Sequence, residues 1–72
     1  MFSYQPLWIT LARKNMQKTE LLKKPGISSA TLAKLGKNEY VSLNVLDNIC
    51  ESLQCSIEDI VQHIPNANKN LE

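Results

Sequence analysis

The chain has 72 residues, 43% of them apolar, and a formal net charge of +1 at neutral pH. That length holds one domain around one small core, and that composition is too apolar for a disordered segment. No apolar run approaches the roughly 18 residues of a membrane span, and the opening MFSYQP lacks the charged and apolar regions of a secretion signal, so no membrane partner and a cytoplasmic setting are expected.

At the N-terminus, Phe2-Ser3-Tyr4 alternates apolar and polar. That pattern suits a short strand, with the segment from Val61 to Ile64 as its partner. The first helix is expected to start near Pro6, because proline fits the first helical turn. Its apolar face is Leu7, Trp8, Leu11 and Ala12. A second helix is expected over about 18–24, with Leu21 and Leu22 apolar. Pro25 and Gly26 stop it: proline disfavours helix in the residue before it, and glycine takes a left-handed conformation freely. A third helix runs over about 29–35 and buries Leu32 and Leu35, with Gly36 as its C-cap. After the polar loop KNEYV, a fourth helix buries Val45, Leu46, Ile49, Cys50 and Leu53. A fifth buries Ile57, Ile60, Val61 and Ile64 and ends at Pro65. The core spans about 4–64, and the polar tail 65–72 is expected to fray.

Four of these helix starts share one spacing. An apolar residue precedes the N-cap and another follows at the fourth helical position, the spacing of a hydrophobic staple. Met16 and Leu21 bracket Gln17, Ile27 and Leu32 bracket Ser28, Val41 and Leu46 bracket Ser42, and Cys55 and Ile60 bracket Ser56. Serine is a preferred N-cap, whereas Gln17 is a poor one. Ser56 and Asp59 add a capping-box spacing.

The net charge conceals a segregation. Between residues 13 and 37, Arg13, Lys14, Lys18, Lys23, Lys24, Lys34 and Lys37 face one acid, Glu20. Residues 38–72 hold six acids and one base, Lys69. A merely soluble surface mixes its signs, so a basic half points to a polyanion, most simply double-stranded DNA.

The basic half is also where two short helices meet at a glycine turn, the helix–turn–helix unit of DNA-binding proteins. The second helix of such a pair lies in the major groove with its N-terminal residues at the base edges. With Leu21, Ile27, Leu32 and Leu35 facing the core, the third helix is left with Ser29, Ala30, Thr31 and Lys34 outward, together with Ala33. Short side chains let the helix approach closely; serine and threonine bond several base edges, and methyl groups suit thymine. Lys34 reaches either guanine or a phosphate. Lys18, at the start of the second helix, and Ser28, the N-cap of the third, are candidates for backbone phosphates. Lys37 and Asn38, in the following loop, are candidates to clamp the opposite strand. Against this stands the plainer alternative that a lysine-rich helix is a solvated face, and that helix–turn–helix geometry also occurs in proteins that bind only protein.

Chemistry beyond binding finds little support. Cys50, Cys55 and His63 are the only soft ligands, too few for a four-ligand metal site. The two cysteines are spaced so that a disulfide is conceivable, but a reducing cytosol favours two thiols acting as small packing residues. There is no nucleophile–base arrangement and no glycine-rich phosphate loop, so neither an enzyme nor a cofactor is expected, and no small-molecule ligand is evident. Glu58 and Asp59 open a helix, where acids are stabilising.

The run GISSATLAKLGKNE from Gly26 to Glu39, and VLDNICESLQCSIEDI over 45–60, resemble the phage repressor/Cro-like, or Xre-type, helix–turn–helix regulators, specifically a compact single-domain branch. The resemblance covers roughly residues 4–64. It implies an all-α, five-helix, lambda-repressor-like DNA-binding domain acting as a homodimer in control of transcription, with repression as the expected outcome. The family's recognition positions fall on Ser29, Ala30, Thr31 and Lys34, and its phosphate contact at the start of the second helix falls on Lys18. Many members have glutamine there, and a small alanine where this chain has Leu22, which implies a different packing of helices two and three. The alternative from another class is an antitoxin-like or phage accessory protein that binds a protein partner and uses its basic face little.

Overall fold

The computed structural model describes residues 1–65. The order of elements is strand β1 (Phe2–Ser3), helix α1 (Gln5–Arg13), a 3-10 helix (Lys18–Lys23), α2 (Ser29–Gly36), α3 (Leu43–Leu53), a second 3-10 helix (Ile57–Asp59) and strand β2 (Gln62–His63). The helical segments stand where the staple spacing places them. Five α-helices do not form: three are α and two are single 3-10 stretches.

Local chemistry accounts for both departures. Between Gln17 and Pro25 there are seven residues, room for only about two turns. Pro25 drives Lys24 into extended backbone, φ −91° and ψ 149°. What remains closes with i→i+3 bonds, Glu20 N–H to Gln17 C=O at 3.0 Å and Lys24 N–H to Leu21 C=O at 3.0 Å. The expected fifth helix, which was to bury Ile57, Val61 and Ile64, stops instead after Asp59. The next residues join a sheet with β1, Phe2 facing His63 and Ser3 facing Gln62 in antiparallel register. Beyond the pair, Ile64 N–H donates to Met1 C=O at 2.7 Å and the terminal ammonium donates to Ile64 C=O at 3.0 Å. A strand partner supplied by the N-terminus thus outcompetes a helix of β-branched residues. Ile60 is fully buried, but Ile57 and Ile64 are exposed. The expected strand pairing is present, although Tyr4 leaves the strand and caps α1. Apart from Pro65, the expected polar tail lies outside the described residues.

The core gathers Tyr4, Leu7, Leu11, Leu21, Ile27, Leu35, Leu46, Ile49, Leu53 and Ile60, drawn from the first four helical segments and from the residue that closes the fifth. All four staples contribute: Met16, Leu32, Val41 and Cys55 pack half-buried against it. On α1, the expected face is shifted. Leu7 and Leu11 are buried and Trp8 half-buried, but Ala12 is exposed and Thr10 takes the interior place. Thr10 is tolerated there because its hydroxyl donates to Asp59 C=O at 2.6 Å, which ties α1 to the second 3-10 helix. Val45, Cys50 and Leu32 are half-buried rather than buried.

A candidate nucleic-acid interface

The turn before α2 is built by three residues in succession. Pro25 fixes its own φ and extends Lys24; Gly26 turns left-handed at φ +79°; Ile27 then drops into the core. Gly26 is also where the turn passes closest to α3, since a Cβ there would run into the Asn48 carboxamide. Ser28 follows in extended backbone and caps α2, its Oγ accepting from Thr31 N–H at 3.2 Å. The same hydroxyl donates to Thr31 Oγ1 at 3.1 Å, so Ser28 and Thr31 are engaged with each other before any ligand arrives.

Along α2 the faces separate cleanly. Leu35 is buried and Leu32 half-buried on one side; Ser29, Ala30, Ala33 and Lys34 are exposed on the other, with Lys37 just beyond the last turn. Thr31 sits between, half-buried. The outward surface is therefore short side chains followed by cations.

The end of α2 differs from expectation. Gly36 is the last helical residue and lies in open space, with no left-handed φ. The reversal comes two residues later at Asn38, φ +58°, and Glu39 N–H donates back to Lys34 C=O at 2.9 Å. That is a Schellman closure with asparagine in the left-handed seat, which asparagine tolerates well. The Asn38 side chain has a second task. Its Oδ1 accepts from Tyr4 N–H at 3.0 Å, while Tyr4 Oη donates to Glu39 C=O at 2.8 Å. The loop after α2 is thereby bolted to the start of α1. Asn38 retains only its amide N–H groups for an outside partner.

Lys18 stands in the first turn of the first 3-10 helix with its Nζ 4.3 Å from the centre of the Trp8 ring. That distance is a cation–π contact, so the ammonium has a preferred position. This helix start carries a capping box with Gln17, in which Glu20 Oε2 accepts from Gln17 N–H at 2.9 Å. Leu22, where many relatives of this pattern have alanine, is 40% exposed and needs no room in the core.

The basic half does not form one continuous face. Arg13 follows the helix dipole at the end of α1, and it shares a surface depression with Glu58 and Asp59. Lys14 borders another with Cys55 and Asp59. Both cations thus border depressions shared with residues of the acidic half.

Three features of this region were not read from the sequence: the Trp8 platform under Lys18, the Tyr4–Asn38–Glu39 tie, and the exposure of Tyr40 and Leu43. Tyr40 is 73% and Leu43 79% exposed, directly after the α2 loop. With Phe2, Val41, Leu46, Ile57 and Val61 they line an almost wholly apolar groove of about 300 Å³. Two apolar residues flanking an N-cap serine were the available signal. His63 is exposed and meets Phe2 edge-on, ring centres 5.5 Å apart, a surface role. Among the described residues no three His, Cys, Asp or Glu side chains converge as a metal site, and no helix is long and apolar enough to cross a membrane.

Comparison with known proteins agrees with this geometry. The profile of the Cro/C1-type HTH DNA-binding domain matches residues 6–66. The chain is 37% identical over 57 residues to the protein named uncharacterized HTH-type transcriptional regulator YozG of Bacillus subtilis (strain 168), covering 76% of this chain and 68% of that one. It superposes on the crystal structure of transcriptional regulator VanUg, Form II, with a TM-score of 0.85 and 49% identity, over 90% of this chain and 87% of the other. Through its matched length, its turn and its fold, the chain belongs to the Cro/C1-type helix–turn–helix family of DNA-binding domains.

Proposed function

We propose that this protein is a sequence-specific transcriptional regulator, acting as a repressor, that places α2 in the major groove of its operator. The observation that carries the proposal is the composition of the outward face of α2. Ser29, Ala30 and Ala33 are short enough for close approach, and Lys34 follows as an exposed long cation able to reach a base edge or a phosphate. Ser28 and Thr31 hold the first turn in place, and Lys18, Lys37 and the free amide of Asn38 serve the backbone. The Trp8 platform supports a positioning role for Lys18, because a cation held over a ring loses less freedom on meeting a phosphate.

The second part of the proposal is a homodimer. A domain this small has a limited interface with one half-site, and two copies on a palindrome would read half-sites about one helical turn apart. The apolar groove flanked by Tyr40, Leu43, Phe2 and Ile57 supports a protein contact. It takes in the terminal strand and the start of the second 3-10 helix, and adds the loop after α2. That groove is equally the feature favouring the alternative, an accessory module for a different protein. Duplex binding measured against salt separates the two. A regulator making six or so phosphate contacts loses about a thousandfold in affinity between about 50 and 200 mM salt; a protein-only module shows no duplex binding at the lower concentration.

A further inference from the structure

Cys50 and Cys55 occupy related places at the end of α3. Gln54 takes a left-handed conformation, φ +56°, and Cys55 N–H donates to Cys50 C=O at 3.1 Å. This is the 6→1 bond of a Schellman closure, which brings the residue after the left-handed position against the last full turn. In most such closures the two side chains that meet are inert apolar groups. Here both are thiols, free and half-buried. They border an open depression shared with Glu51, Gln54 and Ser56, so small reagents can reach them.

We propose that Cys50 and Cys55 are a reversible modification site: a dithiol that closes to an intramolecular disulfide when it meets a low-molecular-weight disulfide. The 3.1 Å backbone bond keeps the two residues adjacent across the closure, the proximity on which a disulfide depends. The surroundings assign an order. Burial, and after it Asp59, hold the Cys55 pKa above its ordinary value, while Lys14, which lines the same depression, favours the Cys55 thiolate and offsets part of that. Cys50 has burial, the Cys55 thiolate, Asp47 and Asp59 against its ionisation, and no cation among the described residues offsets them. Cys55 is therefore the attacking sulfur. Its thiolate displaces one thiolate from the reagent and forms a mixed disulfide. The Cys50 thiolate then attacks the Cys55 sulfur and expels the second. Two protein thiols are oxidised, the reagent is reduced to two thiols, and the two protein protons pass to them. Because both thiols are held protonated, the reaction is slow at neutral pH, and its rate rises about tenfold between pH 7 and 8 with the thiolate fraction.

The test uses the full chain with oxidised glutathione at pH 8, read by intact mass after acid quench. Wild type is expected to lose two hydrogens, carry no glutathione and return to the dithiol with a reductant. Cys50→Ser is expected to stop with one glutathione on Cys55, showing that Cys50 resolves the intermediate. Alkylation of native wild type with limiting iodoacetamide, mapped by peptide mass, needs no variant to fold and should label Cys55 before Cys50. Wild type that retains glutathione, forms disulfides between chains, or ends the incubation as a dithiol overturns the site. Labelling of Cys50 first overturns the assigned order.

Discussion

Gly26→Ala should destabilise the domain by about 2 kcal/mol, for two separable reasons. The first is the backbone. Gly26 has φ +79°, and an L-residue in left-handed backbone costs about 1–2 kcal/mol. Alanine's smaller unfolded-state entropy offsets about 0.4–1 kcal/mol of that. The second is Asn48. An alanine Cβ would stand 3.2 Å from the Asn48 Cγ and overlap the carboxamide nitrogen outright. The obstacle is the end of a side chain rather than backbone, so it yields by leaving its rotamer, at about 0.5–1.5 kcal/mol. The variant, the Asn48→Ala variant and the double variant would be unfolded in urea and followed by the single tryptophan, Trp8. In the Asn48→Ala background the Gly26→Ala cost should fall to about 1 kcal/mol, the difference being the coupling energy of the close approach. Equal costs in both backgrounds would remove the steric part. A total below about 0.5 kcal/mol would refute the reasoning altogether.

Further expectations concern the interface and its supports. Lys34→Ala should weaken binding by about 1–3 kcal/mol and relax preference at one base position if Lys34 reads a base; a uniform loss on all sequences makes it a phosphate contact. Lys18→Ala should lower the salt slope by about one unit with sequence preference intact. It should also shift Trp8 fluorescence before any DNA is added, because the cation leaves the ring; an unchanged slope strikes Lys18 from the interface. Tyr4→Phe should cost about 1 kcal/mol by leaving the Glu39 carbonyl without its donor. In wild type, burial raises the Tyr4 pKa above its ordinary value near 10.0. The phenol thus holds its proton more tightly folded than unfolded, so its contribution is complete below about pH 10 and is lost as pH rises through the folded pKa. Tyr4→Phe should show less of this alkaline loss in urea titrations across that range; identical curves would dismiss it.

The helix starts were legible because their chemistry is local. Ser28 and Ser42 each accept the predicted N–H, from Thr31 and Val45 at 3.2 Å, and Ser56 N–H donates to Asp59 Oδ2 at 3.0 Å. The exposed face of α2 followed from the same periodicity that buried Leu35. What was not legible depends on distant partners. Whether Gln62 and His63 would pair with the N-terminus or extend a fifth helix was open, because the sequence supported both readings of the same residues. Thr10 reads as polar surface until Asp59 is placed opposite it. Lys18 and Trp8, ten residues apart, meet only once α1 and the first 3-10 helix have packed. The segregation of charge was real in sequence but less complete in space, since Arg13 and Lys14 border depressions that Asp59 also lines. Gly36 was the obvious stop for α2, yet Asn38 took the left-handed seat because its side chain also binds Tyr4 N–H.

The central claim is that α2 reads bases, and selection of bound sequences from a random duplex pool at two salt concentrations tests it most directly. An enriched palindrome that survives the higher salt, with half-sites about one helical turn apart, is the predicted result. Binding without enrichment, or no binding at low salt, would contradict it.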